Sequence, residues 1–493
     1  PIHLSLVTGL SISPNLGTPS IWSPISVPQS GIPDIKDFVP SIGSIYHLYF
    51  GSLSISSNES LEDEAVSWLQ NYLRVDTINP PGNESRAVDY IANIFEQEGI
   101  EYRSAESAPG RGNIWARLKG GDKPALVLLH HSDVVPANEK YWDFGPLSGE
   151  IKDGYILGRG ALDMKGTGIS HLANFIHLHR QGKKLNRDVI FIGAADEESG
   201  GNFGVGWLVD NHPEIFEGAG LLLNEGGSGY KANDTIVFSV EITQKVPVWL
   251  RLTAIDTPGH GSSPRSTSSV SRIVEALNTI WENPFPPRII PEVEKVFIER
   301  SGGLEEPYSS EYRNIKESVK DPSFMQRLQS FSASAHALTR DTCSLTRMSG
   351  SSKINVVPPE AWAEVDCRML PDRTTDEFIS DFKALIKDTG VEVELIMSAV
   401  PAISRIDSEL FMAIEDFSKE NYPGSRVTPS VSTGFTDSRF TRGIGIQSYG
   451  FNPLIATGDE YASIHGNNER INEQAFKKSV SDLSLILGRI LSD

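Results

Sequence analysis

The chain has 493 residues, with 64 Asp and Glu against 44 Lys and Arg, for a net charge of −20. Its 22% charged and 39% hydrophobic content suits a globular protein of two or more domains, and no window holds the roughly 20 apolar residues of a membrane-spanning helix. So acidic a surface disfavours nucleic acid as a partner, and two cysteines make neither a disulfide framework nor a cysteine-rich zinc module. Cys343 and Cys367 can pair only if the fold brings them together. A catalytic metal would have to use His, Asp and Glu, and there are 11 His.

Residues 1–55 are rich in Ser, Pro and Ile, with Asp34, Lys36 and Asp37 their only charges. They read as a poorly ordered extension without a signal-peptide pattern, and the Pro start reads as processed or incomplete. From Ser60 the pattern is regular. A capping pair, Ser60 and Asp63, opens a helix with Leu61, Val66, Leu69 and Leu73 on one face, and a second helix carries Val88, Ile91 and Phe95 and stops at Gly99. The runs 125–129, 189–192 and 221–223 are apolar without alternation, the mark of parallel strands buried on both faces, with helical stretches between them.

Near residue 245 the texture changes. Val246, Val248, Leu250 and Leu252 alternate with polar positions, a helix follows over 270–280, and 283–340 is a Pro- and charge-rich insertion. A second alternating strand over 361–368, a helix near 378–386 and a strand over 391–396 complete an α+β unit. The expected fold is thus α/β, a mostly parallel sheet flanked by helices, built from residues 56–244 and 399–493 and interrupted by an inserted α+β unit at 245–398.

The chemistry-bearing residues follow the apolar strands, where open α/β sheets bind ligands. They are His131 and Asp133, then Asp163, then Glu197 and Glu198, then Glu225, with His465 near the C-terminus. Each alone is unremarkable: a lone His is more often structural, and adjacent Glu residues more often solvated. Together, acids gathered in one half-buried crevice repel unless divalent cations compensate, and two imidazoles with several carboxylates and no thiolate suit zinc.

The segments 131–137 (HSDVVPA), 158–166 (GRGALDMKG), 196–199 (DEES), 224–227 (NEGG), 258–264 (PGHGSSP), 353–358 (KINVVP), 364–371 (EVDCRMLP), 434–439 (GFTDSR) and 465–471 (HGNNERI) occur in one order. In this the chain resembles the dizinc aminoacylase and carboxypeptidase metallohydrolases, most of all the carboxypeptidase S and N-acyl amino acid hydrolase branch. The resemblance implies a ferredoxin-like lid and dimerisation domain at 245–398. It also implies two Zn²⁺ per subunit, with Co²⁺ or Mn²⁺ as substitutes. Asp163 would bridge the ions, His131 and Glu225 would complete one site, and Glu198 and His465 the other. Glu197 would be the general base and Asp133 would hold the His131 ring. His260 would donate to the oxyanion, in the family often from the partner subunit, so that a homodimer is implied. Arg368, Asn355 and Gly434 would contact the substrate, Arg368 through its carboxylate. Asn224 departs from the branch, which has Asp there.

The implied reaction is hydrolysis of an amide bond beside a free-carboxylate amino acid, in a small peptide or an N-acyl amino acid. The alternatives are a dipeptidase or deacetylase of another branch, or an inactive binding protein. His130 reads as a packing residue, and His171, His177 and His179 as exposed positions on a helix.

Overall fold

The computed structural model describes residues 60–492 apart from Asn233; the extension expected over 1–55 lies outside the described residues. The Ser60 hydroxyl accepts the Asp63 N–H and opens the helix Leu61–Leu73. Gly99, left-handed at φ 66°, closes the helix Ser85–Glu98.

The apolar runs form the middle of a nine-stranded sheet. Its order is Tyr102–Glu106, Gly112–Leu118, Arg187–Ala194, Lys123–His131, Ala219–Asn224, Gln447–Gly450, Thr235–Gln244 and Arg426–Ser432, with Gly229–Ala232 paired to Thr235–Gln244. Lys123–His131 is parallel to both neighbours, and Ala219–Asn224 is parallel to Gln447–Gly450. Antiparallel pairings flank this core. Successive side chains of one strand point to opposite faces. Leu126 and Leu128 therefore join a core with Phe175, Ile414 and Leu483, while Val127 and Leu129 join another with Ile192, Val205 and Leu208. A strand sandwiched in this way has no position at which a polar residue would meet water, which is why its run shows no alternation.

The helix Lys165–Gln181 is buried through its first 12 residues, between the sheet and the helices Leu61–Leu73 and Glu473–Leu491. This corrects one expectation: His171 is buried, its Nδ1 donating to the Leu129 carbonyl at 3.0 Å, while His177 and His179 are half-buried. Small residues, Gly166, Gly168 and Ala173, bury the helix on all sides and leave no exposed stripe there. Gly168 also makes room for His130, since a Cβ at Gly168 would lie 2.3 Å from the His130 ring. That ring packs as expected, its Nδ1 donating to the Ile192 carbonyl and its Nε2 accepting from the Tyr72 hydroxyl, each at 3.1 Å.

Residues 246–398 hold a separate antiparallel sheet, ordered Thr342–Ser349, Glu360–Met369, Val246–Ile255, Glu392–Ser398. Its apolar face (Val248, Leu250, Leu252, Val365) packs on Ile273 and Ile280 of the helix Ser269–Glu282 and on Phe378 and Phe382 of the helix Thr375–Ile386. The connectivity β-α-β-β-α-β is ferredoxin-like. Between its first helix and second strand, five short helices form their own core around Val293, Phe297, Tyr312, Phe324 and Leu328. Cys343 and Cys367 stand opposite each other on adjacent strands and form a disulfide.

Candidate metal centre

The carboxyl ends of three neighbouring strands deliver the cluster. His131 ends Lys123–His131, Glu225 follows Ala219–Asn224, and Asp196 follows Arg187–Ala194 in a left-handed turn at φ 69° that a short polar side chain tolerates. The turn turns the chain into Glu197–Ser199. Asp163 arrives from the loop before Lys165–Gln181, and His465 from the turn after the helix Gly458–Ser463, itself left-handed at φ 56°.

Asp163 lies between two imidazoles, Oδ1 at 3.1 Å from His131 Nε2 and Oδ2 at 3.0 Å from His465 Nε2. Glu225 Oε2 is 3.6 Å from His131 Nε2, and Glu198 Oε2 is 3.1 Å from His465 Nε2. Two groups sharing Asp163 result, one with His131 and Glu225, the other with Glu198 and His465. Glu197 sits with His131 and Glu225, their ligand atoms within 4.8 Å of one another. Its carboxylate has no hydrogen bond or ion pair to another of the described residues.

Buried polar contacts hold these side chains. His131 Nδ1 is 3.0 Å from the Asp133 carbonyl and 3.4 Å from its Oδ1, so the ring donates from Nδ1 and turns Nε2 to the cluster. The Asp133 carboxylate also accepts the N–H groups of Glu197 and Glu198 at 3.2 and 3.1 Å and the Asn79 amide at 2.8 Å. Three further contacts were not read from the sequence. Glu469 accepts the N–H groups of Leu162 and Asp163 and pairs with buried Arg159. Arg111 bridges Glu84 and Asp196. Arg439, buried in the helix Ser438–Gly443, donates to the Gly200 carbonyl just past the Glu197 turn.

Electrostatically the cluster is frustrated. Burial, then the neighbouring Glu225, pushes Glu197 well above the ordinary carboxylate range. Burial likewise lifts Glu225 to about 7, and Glu198 upward as well. His465 is raised to about 10 by hydrogen bonding to Asp163 and then Glu198. Burial opposes the charge of Asp163, but its two imidazole partners outweigh it and hold the carboxyl low. Burial lifts Asp437 to about 8, and both its oxygens are buried without a partner among the described residues. Such a set, oxygen- and imidazole-rich and short of fixed positive charge, fits divalent cations.

The remaining expected residues lie on or beside the inserted unit. His260 is exposed on a short two-stranded ribbon with Val356, its Nδ1 accepting from the Ser262 hydroxyl at 2.8 Å; Asn355 adjoins the ribbon and its carbonyl accepts the Gly261 N–H. Among the described residues neither makes a hydrogen bond or ion pair with the cluster. The Arg368 fork is already engaged by Asp366, at 2.7 and 3.0 Å, while its Nη1 is buried without a partner among the described residues. Gly434 is exposed and precedes Phe435, over whose ring the Arg368 guanidinium lies at 4.8 Å. The Asn224 amide donates to the Ser438 hydroxyl at 3.1 Å.

Comparison with known proteins agrees with this geometry. Residues 127–488 match the model of peptidase family M20/M25/M40. The N-fatty-acyl-amino acid synthase/hydrolase PM20D1 of Xenopus tropicalis is 29% identical over 86% of this chain and 86% of its own length. The probable carboxypeptidase S-like 2 of Dictyostelium discoideum is 30% identical over 74% of this chain and 71% of its own. Among solved structures, the M20 family metallo-carboxypeptidase Sso-CP2 of Sulfolobus solfataricus superposes with a TM-score of 0.66 at 20% identity, over 86% of this chain and 98% of that one, which establishes the shared fold. The chain therefore belongs to peptidase family M20/M25/M40 and is a metal-dependent hydrolase of peptide or other amide bonds.

Proposed function

We propose that the protein hydrolyses the amide bond next to a free-carboxylate amino acid, in an N-acyl amino acid or at the C-terminus of a small peptide, with two zinc ions. The carrying observation is the Asp163 carboxylate between His131 and His465, each half-site closed by one further acid. His131 and Glu225 would hold one ion, His465 and Glu198 the other, and Asp163 both. Co²⁺ or Mn²⁺ would suit the same donors. Divalent ions held there acidify a water and polarise the scissile carbonyl.

The rest is the work of side chains. Glu197, half-buried and with no hydrogen-bond or ion-pair partner for its carboxylate among the described residues, takes the proton of the attacking water and returns it to the leaving nitrogen. Asp133 fixes the His131 ring and the backbone of both glutamates. Arg368 takes the substrate carboxylate, exchanging its Asp366 partner for it in whole or through the unpaired Nη1. His260 and Asn355 donate to the developing oxyanion, and Gly434 lines the carboxylate pocket.

Residues 56–244 and 399–493 act in this reading as the catalytic domain and 245–398 as its lid. His260 is exposed and, among the described residues, makes no hydrogen bond or ion pair with the cluster, which supports its acting on the site of a second copy. Exposed Leu345, Met348, Leu395 and Ile396 on the two edge strands of the lid sheet support a homodimer there. Among the described residues no helix is long and apolar enough to cross a membrane.

A panel of long-chain N-acyl amino acids, N-acetyl amino acids and end-blocked dipeptides, run on a sample of measured metal content, tests the reading. Turnover that needs metal and a free carboxylate on the amine side is the expected result. Activity only on dipeptides with a free amino terminus would displace it in favour of a dipeptidase, and absence of metal and turnover would sink it.

A further inference from the structure

The segment Phe435–Phe440 connects the inserted unit to the loop that carries Glu197 and Glu198. The Arg368 guanidinium lies 4.8 Å over the Phe435 ring, and that of Arg439 lies 4.2 Å over the same ring. Arg439 also lies 4.3 Å over Phe440. Its fork, 5% exposed, ends on the Gly200 carbonyl. Gly200 in turn donates its N–H to the Glu197 carbonyl at 2.9 Å. The approach is close: a Cβ at Gly201 would lie 2.4 Å from Asp437 Oδ1 and 2.8 Å from the Phe440 ring. Asp133 grips the same loop by the N–H groups of Glu197 and Glu198. Arg439 thus supplies a second anchor, and that anchor shares a packing surface with Arg368.

We propose that Arg439 is a positioning residue for the Glu197 loop and that Phe435 couples it to Arg368, so that seating a carboxylate on Arg368 sets the geometry of the base. This rests on the roles proposed above for Arg368 and Glu197. Guanidinium stacked on an aromatic face is directional and is strengthened by burial. A shift of Arg368 toward an anion changes its stacking on the ring that Arg439 also faces, and so bears on the Arg439 anchor. The carboxylate then contributes to turnover as well as to binding.

The test compares an N-acyl amino acid with the same compound amidated at its carboxylate, in enzyme of equal metal content. Wild type is expected to turn over the acid at least about tenfold faster in kcat. Phe435→Leu should bring kcat for the acid to within about threefold of the amide while kcat for the amide stays within about twofold. Phe435→Tyr, which keeps the ring, should retain the advantage. Equal losses on both substrates, or an advantage that survives Phe435→Leu, overturn the coupling. Should Phe435→Leu not fold, Arg439→Lys carries the same comparison: kcat should fall on both substrates and the ratio of acid to amide should shrink to within about threefold, whereas a ratio kept at its wild-type value overturns the coupling. A wild type that favours the acid in KM alone overturns the coupling, whereas one that favours it in neither kcat nor KM fails the Arg368 reading itself.

Discussion

Glu469 Oε1 accepts the backbone N–H of Asp163 at 3.1 Å, across 306 residues of chain. The same oxygen takes the Leu162 N–H at 2.8 Å, and the carboxylate is neutralised by Arg159, which also donates to the Gly466 carbonyl. One buried acid therefore fixes the loop of Asp163 to the turn that follows His465. Glu469→Gln keeps an acceptor for both N–H groups and removes the charge opposite Arg159. Metal affinity, measured by competition with a chromophoric chelator, should fall about 10- to 100-fold, as for other residues that orient a ligand. Glu469→Ala also strands a buried guanidinium and should lower stability by about 3–5 kcal/mol in urea unfolding. Unchanged affinity in a folded Glu469→Gln would show that the loop holds its shape without this acid.

Metal and protons compete for the same atoms. Without metal, His465 is lifted to about 10 by Asp163 and Glu198, and burial lifts Glu225 to about 7. At pH 7 the metal-free cluster therefore holds protons that cations must displace. Adding Zn²⁺ to chelator-stripped protein in weakly buffered solution should release at least about one proton per chain, and affinity should climb with pH through the range 6 to 9. Calorimetry in two buffers of different ionisation enthalpy measures the release. Binding with no proton release would mean that the ions sit elsewhere.

On the proposed roles, Glu197→Gln removes the proton acceptor and leaves the ligands in place. Turnover should fall about 10²- to 10⁴-fold with metal content unchanged. Because Glu197 also lies with His131 and Glu225, the metal measurement decides its role. Loss of one ion in this variant would make it a ligand rather than the base.

How far the sequence reveals this arrangement depends on how each residue reaches its place. His131, Glu197 and Glu225 stand at the ends of apolar runs, so the strands that deliver them are visible as patterns. The ferredoxin-like unit is equally legible, because its sheet has one wet face and alternates. Arg111 shows no such signal, and Glu469 and Arg439, though they lie inside the segments 465–471 and 434–439, carry nothing in the pattern that tells what they touch. Each acts through contacts to loops far away in the chain, 239 residues away for Arg439 and Gly200, and only burial turns a common surface residue into an anchor. The burial of His171 escapes the sequence pattern for a related reason. Amphipathic periodicity finds the buried face of a helix, and the first turns of Lys165–Gln181 have no exposed face to contrast with it. The engagement of Arg368 by Asp366, two residues earlier on the same strand, follows from the strand's pleat, which puts both on one side.

Arg368→Ala should raise KM for an N-acyl amino acid by about 10- to 100-fold and leave KM for its amide nearly unchanged. Arg368→Lys should recover little, since a point charge cannot reproduce the two-pronged grip now made on Asp366. Asp366→Asn frees the fork of its competitor and should lower KM for the acid if the grip stays in place. An equal KM penalty on acid and amide in Arg368→Ala would remove carboxylate recognition from this residue.

Acid should unfold the protein through two histidines buried in the core. Burial holds His130 neutral, with its pKa pushed down to about 3, and His171 likewise to about 4, against an ordinary value near 6.5. Both folded values are depressed, so the unfolded chain binds more protons between the two limits, and stability is lost as pH falls from about 6.5 toward 4. For His171 alone the full loss is of order 3 kcal/mol. His171→Asn keeps an N–H donor for the Leu129 carbonyl but does not titrate. Its melting temperature should therefore fall less between pH 7 and pH 5 than that of wild type, whatever cost the substitution carries at pH 7. Parallel pH profiles for the two proteins would show that His171 takes up its proton without unfolding, by a local opening of the helix over the Leu129 carbonyl.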